Sequence, residues 1–189
     1  MIGLAVMWAN LARNIASRGY SVGVYNRTKE VTEEFITSYK TDARFLPPQE
    51  WREQENWSLN PYFSLSDLVE SLERPRKIMI MVKAGSPVDA VIAELLPLLE
   101  EWDIIIDCGN SFYKDTVRRE AELRARNIHF VGCGVSWGEE WALHGPSIMP
   151  GCTADIYAHI SPILTAIAAS DFSWGACVSH IGMWGAGHY

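Results

Sequence analysis

The chain alternates between short runs that are apolar throughout and longer stretches with a helical period. After the turn-like opening "GLAVMW", Leu11, Ala12 and Ile15 fall on one face of a helix over residues 8–18, and Gly19 is its stop. "YSVGVYN", residues 20–26, predicts a strand, and residues 29–39 a more polar second helix. Ser64 and Asp67 have capping-box spacing for a helix through Leu72, and "RKIMIMVK" then predicts a strand buried on both faces. Ser86, Pro87 and Asp89 repeat the helix-start chemistry ahead of a helix to Leu99. "DIIIDC", residues 103–108, predicts another doubly buried strand, residues 114–126 a charged helix, and "IHFVGC" a further strand. Residues 132–151, "GCGVSWGEEWALHGPSIMPG", read as one long glycine-rich loop, followed by a helix over 156–169 and a last strand, "ACVSHIG". Strands separated by helix-length segments predict an α/β fold built on a doubly wound parallel sheet. Residues 41–63 break the alternation: rich in proline and without a period, they predict an irregular surface insertion.

A hydrophobic content of 48% over 189 residues is enough to bury the core of one domain. The net charge of −7 argues against nucleic acid or an anionic membrane as partner, because neither polyanion is drawn to that field. The first basic residue is Arg13, and no run reaches the ~20 apolar residues of a membrane span, so neither a secretory leader nor a membrane anchor is expected. Cys108, Cys133, Cys152 and Cys177 are scattered, with no C-x-x-C pair. That points to reduced thiols in a cytoplasmic protein and to no metal site.

The opening turn has the spacing of a dinucleotide-binding bend. Its three positions allow a tight turn, backbone approach to a pyrophosphate, and close packing of helix on strand; here they are Gly3, Ala5 and Trp8. The next strand ends in "YNRT", where a ribose-reading acid would favour a free 2′-hydroxyl. Asn26, Arg27 and Thr28 stand there instead, and Arg27 can fork onto a 2′-phosphate, which implies NADP. "VKAG" (82–85) and "DCGNS" (107–111) put small and polar residues just after buried strands, where doubly wound sheets bind ligands. Lys83 also reads as a solvated strand end, Asn110 as a turn cap and Ser136 as a locally bonded loop residue.

Taken together, "IGLAVM", "YNRT", "RPRKIMIMVKAGSPVD", "DIIIDCGNS", "FVGCGVS", "GPSIMPG" and "GAGHY" resemble the 6-phosphogluconate dehydrogenase family in order and spacing, from Ile2 to Tyr189. The resemblance implies a Rossmann-like NADP-binding domain of a homodimeric oxidoreductase. The family's reaction is oxidative decarboxylation of 6-phosphogluconate to ribulose 5-phosphate, in the pentose phosphate pathway. By motif it places Gly3, Ala5, Val6 and Met7 at the pyrophosphate, and Asn26, Arg27 and Thr28 at the 2′-phosphate. Val82, Lys83 and Ala84 fall at the adenosine and nicotinamide ribose, Asn110 between cofactor and substrate, and Ser136, Trp137 and Gly138 at the sugar acid.

Departures from the family shape the expectation further. The chain starts inside the family's first strand and stops before its catalytic Lys and Glu, its substrate-binding His-Asn pair and its helical, dimer-forming domain; His188 and Glu139 are not their equivalents. No catalytic residue is therefore assigned, and little catalysis is expected from this polypeptide alone. Trp8, Trp137, Trp141, Cys108 and Cys152 stand where the family has Gly, and Cys133 where it has Ser. An indole at position 8 either overpacks the helix-strand contact, a cost of ~1–3 kcal/mol or more, or swings outward into the cofactor cleft, both of which weaken NADP binding; the benign alternative is that it covers exposed sheet edge. Two other functions compete. One is a non-catalytic nucleotide-binding or interaction module with an apolar surface of Trp8, Trp137, Trp174 and Trp184; the other is a 3-hydroxyacid dehydrogenase relative, which "GNS" disfavours.

Overall fold

The computed structural model describes residues 1–4, 6–41, 58–136, 141–170 and 175–189, with the backbone alone at 6–8, 40, 41 and 141. Helix α1 (Val6–Ser17) buries Leu11, Ala12, Ile15 and Ala16, and Gly19 ends it in the left-handed region at φ 88°. Strand β1 (Ser21–Tyr25) and helix α2 (Lys29–Thr41) follow.

The described end of the expected insertion is a strand. Residues 42–57 lie outside the described residues, but β2 (Ser58–Tyr62) is a strand parallel to β1, with Ser21 opposite Ser58 and Tyr25 opposite Tyr62. Pro61 disguises it, because proline cannot donate to a ladder; at the sheet's edge that loss is tolerated.

Helix α3 (Leu65–Glu70) starts as its capping residues require, with the Ser64 hydroxyl accepting the Asp67 N–H at 3.1 Å. Strands β3 (Lys77–Ile80) and β4 (Ile104–Asp107) alternate with helices α4 (Ser86–Leu95) and α5 (Tyr113–Arg124). Apart from Lys77 at the start of β3 and the buried Asp107 at the end of β4, both strands are apolar, because both faces are covered. Ile78, Ile80 and Ile105 pack with Val88, Ile92, Leu95 and Leu123 on one side; Met79, Ile104 and Ile106 pack with Leu11, Ile15, Ile160 and Leu164 on the other.

The expected glycine-rich loop over 132–151 is largely regular structure. Strand β5 (His129–Val135) is followed by a helical turn, α6 (Trp141–His144), and by β6 (Ile148–Gly151), which returns antiparallel to β5 with Gly132 opposite Gly151. The sheet is therefore parallel with one antiparallel edge. The glycines mark a crossing: the 3-10 helix Trp184–His188 passes so close that a Cβ on Gly134 would lie 2.5 Å from the Gly187 carbonyl oxygen. Helix α7 (Ala154–Ile167) covers the sheet, with Pro162 inside it. "ACVSHIG" forms no strand, only the single bridges Ser170–Ala176 and Ile148–Val178.

Residues 1–3 lie between β1 and β3 and join the two halves of the sheet. Ile2 bridges Tyr25 and Ile80 in parallel, giving the order β2, β1, residues 1–3, β3, β4, β5, β6. The Ile2 N–H donates to Met79 O and its carbonyl accepts from Met81 N–H, while Tyr25 N–H donates to Met1 O. The Met1 amine is buried against the Gly23 carbonyl, and burial pulls its pKa from 8.0 to about 5. No described helix is long and apolar enough to cross a membrane.

Candidate functional site

A pocket of about 580 Å³ opens at the carboxyl ends of residues 1–3, β1 and β3, the edge where doubly wound sheets bind ligands. Its floor is Gly3. Its φ is 95°, and a Cβ there would overlap the Met81 carbonyl oxygen, so conformation and close approach both require glycine. Asn26 ties this turn to the end of β1: its Oδ1 accepts the Leu4 N–H at 3.3 Å, and its Nδ2 donates to Thr28 O at 3.2 Å. Arg27, Thr28, Val82 and Lys83 line the same pocket, and α4 adds Ser86, Pro87, Ala90, Val91 and Glu94. Among the described residues neither Arg27 nor Lys83 has an ion-pair partner, so two unpaired cations line one cavity, with Glu94 as the carboxylate among its lining residues. Ala84 adjoins the pocket in sequence but does not line it. Ala5 and the side chains of Val6, Met7 and Trp8 lie outside the described residues, although the backbone of 6–8 forms the first turn of α1.

The second loop hangs from a buried carboxylate. Asp107 Oδ1 accepts the Gly109 N–H at 3.0 Å and Oδ2 the Ser111 hydroxyl at 2.6 Å, which presents the exposed Asn110 at the tip of the turn. Arg119 braces this loop against the start of α4. Its Nε and Nη2 fork onto Asp89 at 2.8 and 3.1 Å, Nη2 also donates to Gly85 O at 2.9 Å, and Nη1 lies 3.8 Å from Asp107 Oδ2. The Arg119 hydrogen bond is the main reason the Asp89 carboxyl is held down to about 2. The N-cap of α4 is Gly85 at φ 92°, not Ser86 as its helix-start chemistry suggests. Sequence reasoning missed Arg119. The available signal was an arginine on the inner stripe of α5, where Thr116, Arg119 and Leu123 are the buried positions.

Ser136, the third expected element, is bonded locally: its hydroxyl accepts the Ser147 N–H at 3.0 Å, and its own N–H donates to Ser147 O at 2.9 Å. Trp137, Gly138 and Glu139 lie outside the described residues, as does the side chain of Trp141. Cys108, one residue past β4, and Cys133 on β5 pack together in the core; their mutual hydrogen bond, with burial, pushes the Cys108 thiol up, and burial, with smaller contributions from Cys133 and Asp155, raises Cys152 to about 12. These thiols are core, not nucleophiles. His188 Nδ1 lies 2.7 Å from the Thr116 hydroxyl and pins the 3-10 helix to α5. Of the four tryptophans named for an apolar surface, only the Trp184 side chain is described, 41% exposed. No described cluster of His, Cys, Asp or Glu is arranged to hold a metal.

A family described as the NAD-binding domain of 6-phosphogluconate dehydrogenase matches residues 1–182. The decarboxylating 6-phosphogluconate dehydrogenase of Salmonella typhimurium is 51% identical over 189 residues, all of this chain and 37% of that protein. The chain thus spans a little over a third of such a curated relative. Among solved structures, Plasmodium falciparum 6-phosphogluconate dehydrogenase, described apo, with its cofactor NADP+ and with its substrate 6-phosphogluconate, superposes with a TM-score of 0.86 at 37% identity; the match covers 100% of this chain and 37% of that one. Mycobacterium tuberculosis 3-hydroxyisobutyrate dehydrogenase shares the fold at a TM-score of 0.76 and 17% identity, over 99% of this chain and 55% of that one.

Proposed function

Because this chain belongs to the family of the 6-phosphogluconate dehydrogenase NAD-binding domain, we propose that it is the NADP-holding part of an enzyme that oxidatively decarboxylates 6-phosphogluconate to ribulose 5-phosphate. The observation that carries this reading is the pair of cations, Arg27 and Lys83, that line one pocket beside the Gly3 turn without an ion-pair partner among the described residues. A dinucleotide fits the cradle: Gly3 leaves the floor open, the backbone N–H groups that begin α1 suit a pyrophosphate, and Arg27 with Thr28 suits a 2′-phosphate where no acid stands to repel it. When bound, NADP supplies the acceptor for the hydride removed from the sugar acid. The chain's residues supply position: Asn26 fixes the turn, and the Asp107 carboxylate holds Asn110 outward, toward a sugar acid lying beside the nicotinamide. Ser136, Trp137 and Gly138 belong to the sugar-acid side of the same proposal. A cytoplasmic setting, consistent with four free thiols, and a homodimer for the whole enzyme complete it.

The test is calorimetric titration of the 189-residue chain with NADP and with NAD, beside Arg27→Ala and Trp8→Gly. NADP should bind better than NAD, and Arg27→Ala should erase most of the difference. Tighter binding by Trp8→Gly would place a cost at the indole; no NADP binding by the parent or by Trp8→Gly would sink the proposal.

A further inference from the structure

The pocket contains one carboxylate that the cofactor reading leaves unused. Ser86, Pro87, Ala90, Val91 and Glu94 form one face of α4 along the cavity, while Val88, Ile92 and Leu95 face the core. Glu94 lies two turns beyond Pro87, about 10 Å along the helix axis at 1.5 Å per residue. It is exposed, and no described residue forms an ion pair or hydrogen bond with it.

We infer that Glu94 reads the purine of the dinucleotide, accepting a hydrogen bond from the exocyclic amine of adenine. The inference rests on the NADP reading of this pocket. A 2′-phosphate at Arg27 fixes the ribose that carries the base. The base must then enter the part of the cavity walled by Leu65, Val82, Pro87, Ala90 and Val91, whose apolar surfaces suit the faces of a flat ring. The polar edge of that ring then meets Glu94 at the cavity's far end. An ionised carboxylate only accepts hydrogen bonds, so it favours an amine there and repels a carbonyl oxygen. Glu94 thereby discriminates adenine from hypoxanthine, which has oxygen at that position.

The experiment titrates the 189-residue chain with NADP and with its deaminated analogue, nicotinamide hypoxanthine dinucleotide phosphate. The parent should prefer NADP by about tenfold or more, the range expected for a hydrogen bond to a charged group. Glu94→Gln, whose amide donates as well as accepts, should reduce the preference to less than about threefold while keeping the discrimination between NADP and NAD, which rests on Arg27. Equal binding of the two purines by the parent, or an undiminished preference in Glu94→Gln, overturns the role of Glu94 and leaves the NADP reading standing. No binding of either nucleotide by the parent and by Trp8→Gly alike overturns both; where only Trp8→Gly binds, the two purines are compared, with and without Glu94→Gln, on that background.

Discussion

Replacing Arg119 with methionine removes the charge that holds two loops together and leaves its shape nearly filled. Arg119 is 1% exposed and Asp107 0%, so the variant strands a carboxylate with no route to water. At 3.8 Å and an effective dielectric of ~20, the gross attraction between the two groups is about 4 kcal/mol. Removing one partner of a buried pair typically costs about 3–5 kcal/mol, because the remaining charge stays desolvated. For a domain of 189 residues that corresponds to a fall in Tm of roughly 6–20 °C. Urea denaturation followed by tryptophan fluorescence, with calorimetric melting as a second probe, measures it. The decisive comparison is the double variant Arg119→Met/Asp107→Asn. An asparagine still accepts the Gly109 N–H and donates to the Ser111 hydroxyl, and it leaves no stranded charge, so the double variant should be more stable than Arg119→Met alone. A cost below about 1 kcal/mol for the single change, or no recovery in the double, refutes the view that this pair braces the loops.

Three further outcomes follow from the same packing. The Met1 amine of the 189-residue chain has a folded pKa of about 5 against 8.0 unfolded, so between those values only the unfolded chain holds the proton; stability should rise with pH by up to about 4 kcal/mol across that window. Nα-acetylation should flatten that rise, and an unchanged slope in urea titrations at pH 5 and 8 would exclude the amine as its source. Gly187→Ala should cost more than about 3 kcal/mol, since its Cβ would overlap the Gly132 carbonyl oxygen; Gly19→Ala, strained at φ 88° but in open space, should cost only about 1–2, and equal melting temperatures would contradict this. Ser64→Ala should lose about 1 kcal/mol by uncapping α3, measured in the same denaturation assay; a neutral change would mean the cap contributes nothing.

What could be read from the sequence was whatever is local. β3 and β4 stood out because a strand covered on both faces has no polar face to confuse the pattern, and Ser64 declared a helix start through chemistry three residues long. Two of the errors in the fold have tertiary causes. Pro61 is compatible with β2 only because that strand lies at the edge, and the glycines of β5 and β6 serve a crossing helix more than 30 residues further on, so they imitate a loop. The site divides in the same way. Gly3, Asn26 and Arg27 announced themselves by motif, whereas the contacts that give Arg119 its role reach back 30 and 34 residues to Asp89 and Gly85, a distance no local pattern spans. Glu94 was invisible for another reason: only the cavity distinguishes it from any solvated helix residue.

The join at residues 1–3 has an implication for how the domain comes apart. The β1–β2 half and the β3–β6 half meet through the backbone of Met1, Ile2 and Gly3, a thin stitch beside the long ladders on either side. Few sheet hydrogen bonds cross this line, so the two units it separates are joined there mainly by packing, with Leu11 and Ile15 of α1 in one core with Met79, Ile104 and Ile106. The pocket lies across it: Asn26, Arg27 and Thr28 belong to one unit, and Val82, Lys83 and α4 to the other. A dinucleotide bound there acts as a staple, adding cohesion where the backbone has least, and its affinity becomes inseparable from the local stability of the β1 unit.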